Sequence, residues 1–390
     1  MRDFKGKDKL YVENTYARFD LIIARGKGSY LYDEKGKEYI DFNSGIAVNT
    51  FGACDGEWIA AAKKQLGKLQ HASNLFYTEP CVNLAEALCT RTGAKKVFFS
   101  NSGAEANECA IKCARLWGEN NKGKDFYNVI VFKNGFHGRT LGTLAATAQD
   151  FFHEHFYPFP DGFLYADTSD INGVKKLVKE NKCVAVMAEF IQGEGGVIPM
   201  DFGFAKELKA LCEKEDLLFI ADEVQTGNGR TGTLYAFEQY GIVPDILTTA
   251  KGLAGGLPLG ATLFFEKTAG TLKSGLHGST FGGNPVCCAV ALSNLKRIDE
   301  KCLTEVRQKS AYIKEELTGA EGVVSVSGLG LMLGVEVKCD CGKVISTCIG
   351  KGLLPIKAKN KIRLLPALNI PWDALKKGVK ILKDAIKENL

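Results

Sequence analysis

Between about residues 97 and 265 the chain alternates short apolar runs with amphipathic stretches. VFFS at 97–100, VIVF at 129–132, VAVMAEF at 184–190, LLFIADE at 217–223, DILTTA at 245–250 and ATLFF at 261–265 have the length and β-branched or aromatic content of buried strands. AEANECAIKCARLW at 104–117 sets Ala106, Cys109, Ala110, Cys113 and Trp117 on one helical face, and GFAKELKALCEKE at 203–215 is a second amphipathic helix. This alternation predicts an α/β fold with a mostly parallel central sheet covered by helices.

After Pro285 the pattern changes to long helices with a few strands, VVSVSG, LMLGVEV and KIRLLP. Residues 286–390 are therefore expected to form a smaller α+β domain beside a large domain at 61–285. The segment 1–60, with YLYDEKGKEYIDF and its turn at Lys35-Gly36, is expected to join the smaller domain.

Composition removes several function classes. The 390 residues, 45% hydrophobic, allow a large core, and no run of about 18 apolar residues exists to span a membrane. The charged opening MRDFKGKDKLYVEN has no signal-peptide core, so a cytoplasmic protein is expected. The net charge of +5 is spread thinly, which argues against a nucleic-acid partner. Thirteen cysteines in irregular spacing fit free thiols in a reducing compartment. Neither CDC at 339–341 nor the His153/His155 pair in FFHEHFYPF is completed by a second ligand pair, so no metal site is expected.

Open α/β sheets bind ligands beyond the carboxyl ends of their strands. Those ends carry Asn101-Ser102-Gly103-Ala104 at a helix start, then Gly135-Phe136-His137-Gly138-Arg139, Glu189 with IQGEGG, Asp222-Glu223-Val224-Gln225, and Lys251 before a glycine-rich loop. An anion cradle, an aromatic, an arginine, carboxylates and a lysine thus converge on one edge. GNGRTG at 227–232 has the GxGxxG form of a nicotinamide-dependent dehydrogenase, but Asp222 and Glu223 separate it from its strand and would repel a pyrophosphate. No GxxxxGK[ST] is present for a P-loop. Pyridoxal phosphate needs this set: a lysine amine for its aldehyde, an acid for its ring nitrogen and a cradle for its phosphate.

The ordered segments HASNLFYTEP, NSGAEAN, FHGRTLG, QGEGG, ADEVQTGNGRTG, TTAKGLAGGLPLG and HGSTFGGNP resemble those of class III pyridoxal-phosphate-dependent aminotransferases of fold type I, from about Tyr16 to the C-terminus. Within that family the likeness is to the bacterial members that act on acetylornithine. The resemblance implies Lys251 as the lysine that bonds the cofactor and moves protons, and Asp222 as the partner of the pyridine nitrogen. It implies Gly103 and Ala104 at the phosphate with Ser102 adjacent, Phe136 on the ring and Gln225 at the phenolic oxygen. Thr280 would reach the phosphate from the other subunit of a homodimer, with Ser279 near the substrate. Arg139 would hold a substrate carboxylate. Arg363 would receive the second carboxylate of glutamate, and Glu194 would pair with Arg363 when glutamate is absent.

The implied reaction moves the δ-amino group of N2-acetyl-L-ornithine to 2-oxoglutarate, a step of arginine biosynthesis. Succinylornithine, ornithine and N-succinyl-diaminopimelate remain open as donors. The stretch FGACDGEW at 51–58 departs from the family pattern, and Tyr16 is as well explained by the rim of the fold as by the substrate.

Overall fold

The structure, a computed structural model, describes residues 3–390. A seven-stranded sheet forms its centre, in the spatial order Lys96–Ser100, Gly260–Phe264, Ile246–Thr249, Leu218–Asp222, Cys183–Ala188, Asn128–Phe132, Phe163–Ala166. Gly260–Phe264 runs antiparallel to both neighbours, and the other pairings are parallel. Hydrophobic pattern carries no direction, so this reversal was not legible in ATLFF. The edge strand Phe163–Ala166 also escaped the pattern reading. It is short, partly exposed, and surrounded by Pro, Gly and Asp.

The strands are buried because both faces are covered. Helix Gly103–Asn121 packs on one face with Ala106, Cys109, Ala110, Cys113 and Trp117 all inward, against Val129, Val131, Ala185 and Met187. Burial raises the thiols of Cys109 and Cys113 to about 12, which keeps them inert apolar fillers. Helix Phe202–Lys214 covers the other face and starts at Asp201, whose carboxylate accepts from the Phe204 amide at 2.8 Å.

A second core joins the two chain ends. An antiparallel sheet of Val323–Leu329, Met332–Val337, Lys361–Leu364 and Ile356–Ala358 packs with helices Glu300–Leu317, Cys341–Gly350 and Trp372–Glu388. The N-terminal hairpin Tyr30–Asp33/Glu38–Asp41 pairs in parallel with Leu353–Leu354, and its Ile40 and Phe42 enter the same core.

The segment 51–58 has a clear structural task. Asp55 starts helix Gly56–Leu66 and forms a two-pronged ion pair with Arg297, at 2.5 and 3.1 Å, while the Arg297 guanidinium lies 3.9 Å from the centre of the Phe51 ring. Trp58 Nε1 donates to the Ala254 carbonyl at 2.9 Å, and Thr50 Oγ1 donates to the Gly252 carbonyl at 2.7 Å. The N-terminal segment thereby braces the loop that follows Lys251.

Candidate active site

The carboxyl ends of the parallel strands open into a cavity of about 470 Å³. It is lined by Ser102, Gly103, Ala104, Phe136, His137, Arg139, Glu189, Asp222, Gln225 and Lys251, among others. That volume suits a small organic ligand.

Lys251 follows strand Ile246–Thr249 after one residue and opens a short 3-10 turn. Its φ of +36° is a left-handed conformation that a lysine adopts only when its surroundings impose it. Burial lowers the ammonium pKa below the ordinary lysine value, and the neighbouring Arg363 charge acts in the same direction. The acids Glu194, Asp222 and Glu189 oppose them. The amine is therefore freed more readily than that of a surface lysine.

Asp222 ends its strand fully enclosed. Its Oδ2 lies 2.7 Å from His137 Nδ1 and 2.8 Å from Asn107 Nδ2, and its Oδ1 accepts from the Val224 amide at 3.0 Å. Burial alone would strip the proton from His137. The hydrogen bond and charge of Asp222, joined by the Glu189 charge, outweigh it and raise the His137 pKa above the ordinary imidazole value. The next residue points the other way. Glu223 accepts from Thr226 Oγ1 and the amides of Ala236 and Phe237 at 2.6–2.8 Å, and burial pushes its pKa up to about 7. Strand alternation thus separates two adjacent acids into a cavity residue and a structural one.

Glu189 accepts from the amides of Phe136 and Gly193 at 2.9 and 3.3 Å. Its pKa rises to about 7 through burial and the Asp222 charge, against the pull of His137. His137, Asn107 and Glu189 carried no assigned role in the sequence reading. Asn107 was detectable as the residue one helical turn after Gly103, on the same face.

At the start of helix Gly103–Asn121, Ser102 accepts from the Glu105 amide at 3.2 Å. The amides of Gly103 and Ala104 occupy the first turn, where no intrahelical acceptor exists, and they line the cavity. A Cβ on Gly138, whose φ is +149°, would sit 2.4 Å from Thr143 Oγ1 and 2.8 Å from Ala104 Cβ. The glycine lets the loop carrying Phe136 and Arg139 close onto this helix start.

Arg363 is buried and holds Glu194 with two prongs, Nη1 to Oε1 at 2.6 Å and Nη2 to Oε2 at 3.2 Å. Nη1 also donates to Gln225 Oε1 at 3.1 Å. Burial would raise the Glu194 pKa, but the charge and hydrogen bonds of Arg363 hold it below the ordinary carboxylate range. Arg139 is exposed at the cavity rim.

Ser279 and Thr280 stand apart from the cavity. Ser279 Oγ accepts from Asn101 Nδ2 at 3.1 Å, and Thr280 is exposed in its own chain. Tyr16 is 70% exposed and contacts Arg18. The glycines of GNGRTG open no helix. They form a buried turn in which Arg230 Nη1 donates to the Leu331 carbonyl at 3.1 Å and also to the Pro366 carbonyl, tying the sheet to the second core.

Pyridoxal phosphate fits these residues. An anion cradle without internal acceptors, a buried carboxylate and a half-buried lysine face one cavity. Among the described residues no helix is long and apolar enough to cross a membrane.

Comparison with known proteins identifies the family. Residues 11–386 match the family model of class-III aminotransferases. The acetylornithine aminotransferase of Haemophilus ducreyi is 47% identical over 98% of each chain, and that of Aquifex aeolicus is 43% identical over 96% of this chain and 100% of its own. Among solved structures, ornithine aminotransferase from Toxoplasma gondii superimposes with a TM-score of 0.95 at 31% identity, over 99% of this chain and 94% of its own. N-acetylornithine aminotransferase from Stenotrophomonas maltophilia gives 0.85 at 35% identity, over 98% of each chain. The chain belongs to the class-III aminotransferases.

Proposed function

We propose that this protein is an acetylornithine aminotransferase. It takes the δ-amino group of N2-acetyl-L-ornithine, releases N-acetyl-L-glutamate 5-semialdehyde, and passes the amino group to 2-oxoglutarate to give L-glutamate, within arginine biosynthesis in the cytoplasm. The carrying observation is that half-buried Lys251 and buried Asp222 face one cavity whose rim presents Arg139.

Pyridoxal phosphate, the cofactor, supplies an electrophilic carbon for the donor amine and an electron sink for the carbon that loses its proton. The helix start at Gly103 and Ala104, with Ser102 adjacent, would hold its phosphate. Asp222, backed by His137 and Asn107, would keep a proton on its ring nitrogen. Phe136 would lie on the ring and Gln225 would meet its phenolic oxygen. Lys251 would bond it, then carry the proton to and from the reacting carbon of the donor, a task its lowered pKa suits.

Charge at the rim supports an acylated donor. The acids that line the cavity, Glu189 and Asp222, sit at its floor, and Arg139 faces the entrance without one. The α-ammonium of free ornithine would find no counter-ion there, whereas an acetamide needs none. Exposed Leu75, Phe76, Tyr77 and Phe281 surround the loop of Ser279 and Thr280, to which Asn74 bonds at 2.9 Å. Such an apolar patch supports a homodimer that carries Thr280 to the partner's phosphate site.

Lys251→Ala tests the central reading. Turnover should fall by about 10³-fold or more, and borohydride should no longer fix the cofactor to the chain. A variant that still turns over sinks the proposal. On a panel of purified amino donors, a preference for free ornithine would replace acetylornithine. An active species that sediments as a monomer would remove Thr280 from the site.

A further inference from the structure

Among the described residues no group of three or more metal-ligating side chains forms, and the aromatic run FFHEHFYPF at 151–159 takes no part in the chemistry above. One of its rings, Phe152, nevertheless lies against Arg139. The Arg139 guanidinium carbon lies 4.0 Å from the centre of the Phe152 ring and 5.5 Å from that of Phe136. The two rings meet edge to face at 6.0 Å.

The run and the edge strand Phe163–Ala166 together fasten the helix that follows Arg139. His153 Nε2 lies 2.8 Å from the Leu144 carbonyl, and Tyr165 donates to the Ala145 carbonyl at 2.8 Å. Both carbonyls belong to the end of helix Leu141–Ala146. At its start Thr140 makes no side-chain cap, and Glu108 from the neighbouring long helix substitutes. Its Oε1 accepts from the Thr143 amide at 3.0 Å and from Thr140 Oγ1 at 2.5 Å. The helix that follows Arg139 is thus pinned at both ends, and Phe152 supplies the surface beneath the guanidinium.

We infer that Phe152 is a positioning residue for Arg139, holding the guanidinium by its face so that its edge stays free for the substrate carboxylate. Guanidinium N–H donors lie in the plane of the group, while a ring attracts it from above that plane. A carboxylate partner would use up the donors the substrate needs. A ring uses none. The inference deepens the aminotransferase reading and rests on Arg139 binding the carboxylate far from the reacting amine.

The experiment uses holoenzyme with Phe152→Leu, Phe152→Tyr and Arg139→Gln. Each is assayed with N-acetylornithine, with 2-oxoglutarate and with 4-acetamidobutylamine, which is N-acetylornithine without its carboxylate. Phe152→Leu should raise KM for both carboxylate substrates by about 2- to 30-fold, the range a cation–π contact commands, with kcat little changed. Its KM for 4-acetamidobutylamine should match that of the unaltered enzyme, and Phe152→Tyr should restore the carboxylate values. Equal losses with the carboxylate-free amine would mean a general packing role and overturn the inference. If Arg139→Gln raises KM and Phe152→Leu does not, the inference alone fails. If Arg139→Gln also leaves KM unchanged, the carboxylate reading of Arg139 fails first.

Discussion

Two arginines stand in opposite electrostatic states, Arg139 in the cavity lining and Arg363 one hydrogen bond from it through Gln225. Arg363 is 2% exposed and already carries a carboxylate, Glu194, in a two-pronged pair. Arg139 stands at the rim over aromatic rings and, among the described residues, makes no ion pair. A buried guanidinium without a counter-charge is costly, so Arg363 needs a resident partner. An exposed one keeps its hydration and needs only a surface to rest on. The difference suits a reaction with two amino donors. Acetylornithine and glutamate both carry a carboxylate far from the reacting carbon, but only glutamate carries a second one on that carbon. A permanent receptor and an occupied one match these two demands.

The largest effect expected from this comparison is at Arg139. Arg139→Gln removes charged hydrogen bonds worth about 1.5–3 kcal/mol, so both half-reactions should weaken by about 10- to 150-fold in apparent affinity. Arg363→Gln should weaken the glutamate half-reaction by a similar factor and leave acetylornithine within about threefold. Single-turnover absorbance changes with each donor separate the two. Equal damage to both half-reactions from Arg363→Gln would erase the distinction between the arginines.

A smaller effect is expected from the pair itself. Glu194→Ala frees Arg363 before glutamate arrives, so the ratio of glutamate to acetylornithine rates should rise roughly tenfold, equivalent to about 1.4 kcal/mol. An unchanged ratio in the same single-turnover measurement would make the ion pair a fixed structural contact.

Much of this architecture was legible because strand ends in an α/β sheet gather what binds ligands. Lys251, Asp222 and the helix start at Ser102 could be read from position alone. The contacts behind them could not. His137 and Asp222 are 85 residues apart, and Arg363 and Glu194 are 169 apart, so only the folded chain brings them together. For the arginine pair, family resemblance is the one signal in the sequence that implies the pairing. Position placed the adjacent acids Asp222 and Glu223 together at a strand end, family resemblance singled out Asp222, and alternation along the strand sends the two to opposite sides. The aromatic run at 151–159 carries no sequence signal for Arg139, because a plate for a cation has no periodicity of its own.

The smallest expected effect is a null one, and it decides what opens the pair. Arg363 holds the Glu194 pKa below the ordinary carboxylate value of about 4.3. A depressed carboxylate keeps its ion pair above the unfolded pKa and loses it only as pH falls through the folded one. Between about pH 6 and 8 Glu194 therefore stays charged, and a proton cannot release Arg363. Other groups titrate in that window, including Glu189 near 7, but they serve both half-reactions and cancel in the ratio of rates. Both donor amines remain ammonium groups below about pH 8, so their reactive fractions change in parallel. The glutamate-to-acetylornithine ratio should accordingly vary by less than about twofold from pH 6 to 8. A ratio that climbs as the pH is lowered would show that protonation of Glu194, rather than the incoming carboxylate, frees Arg363.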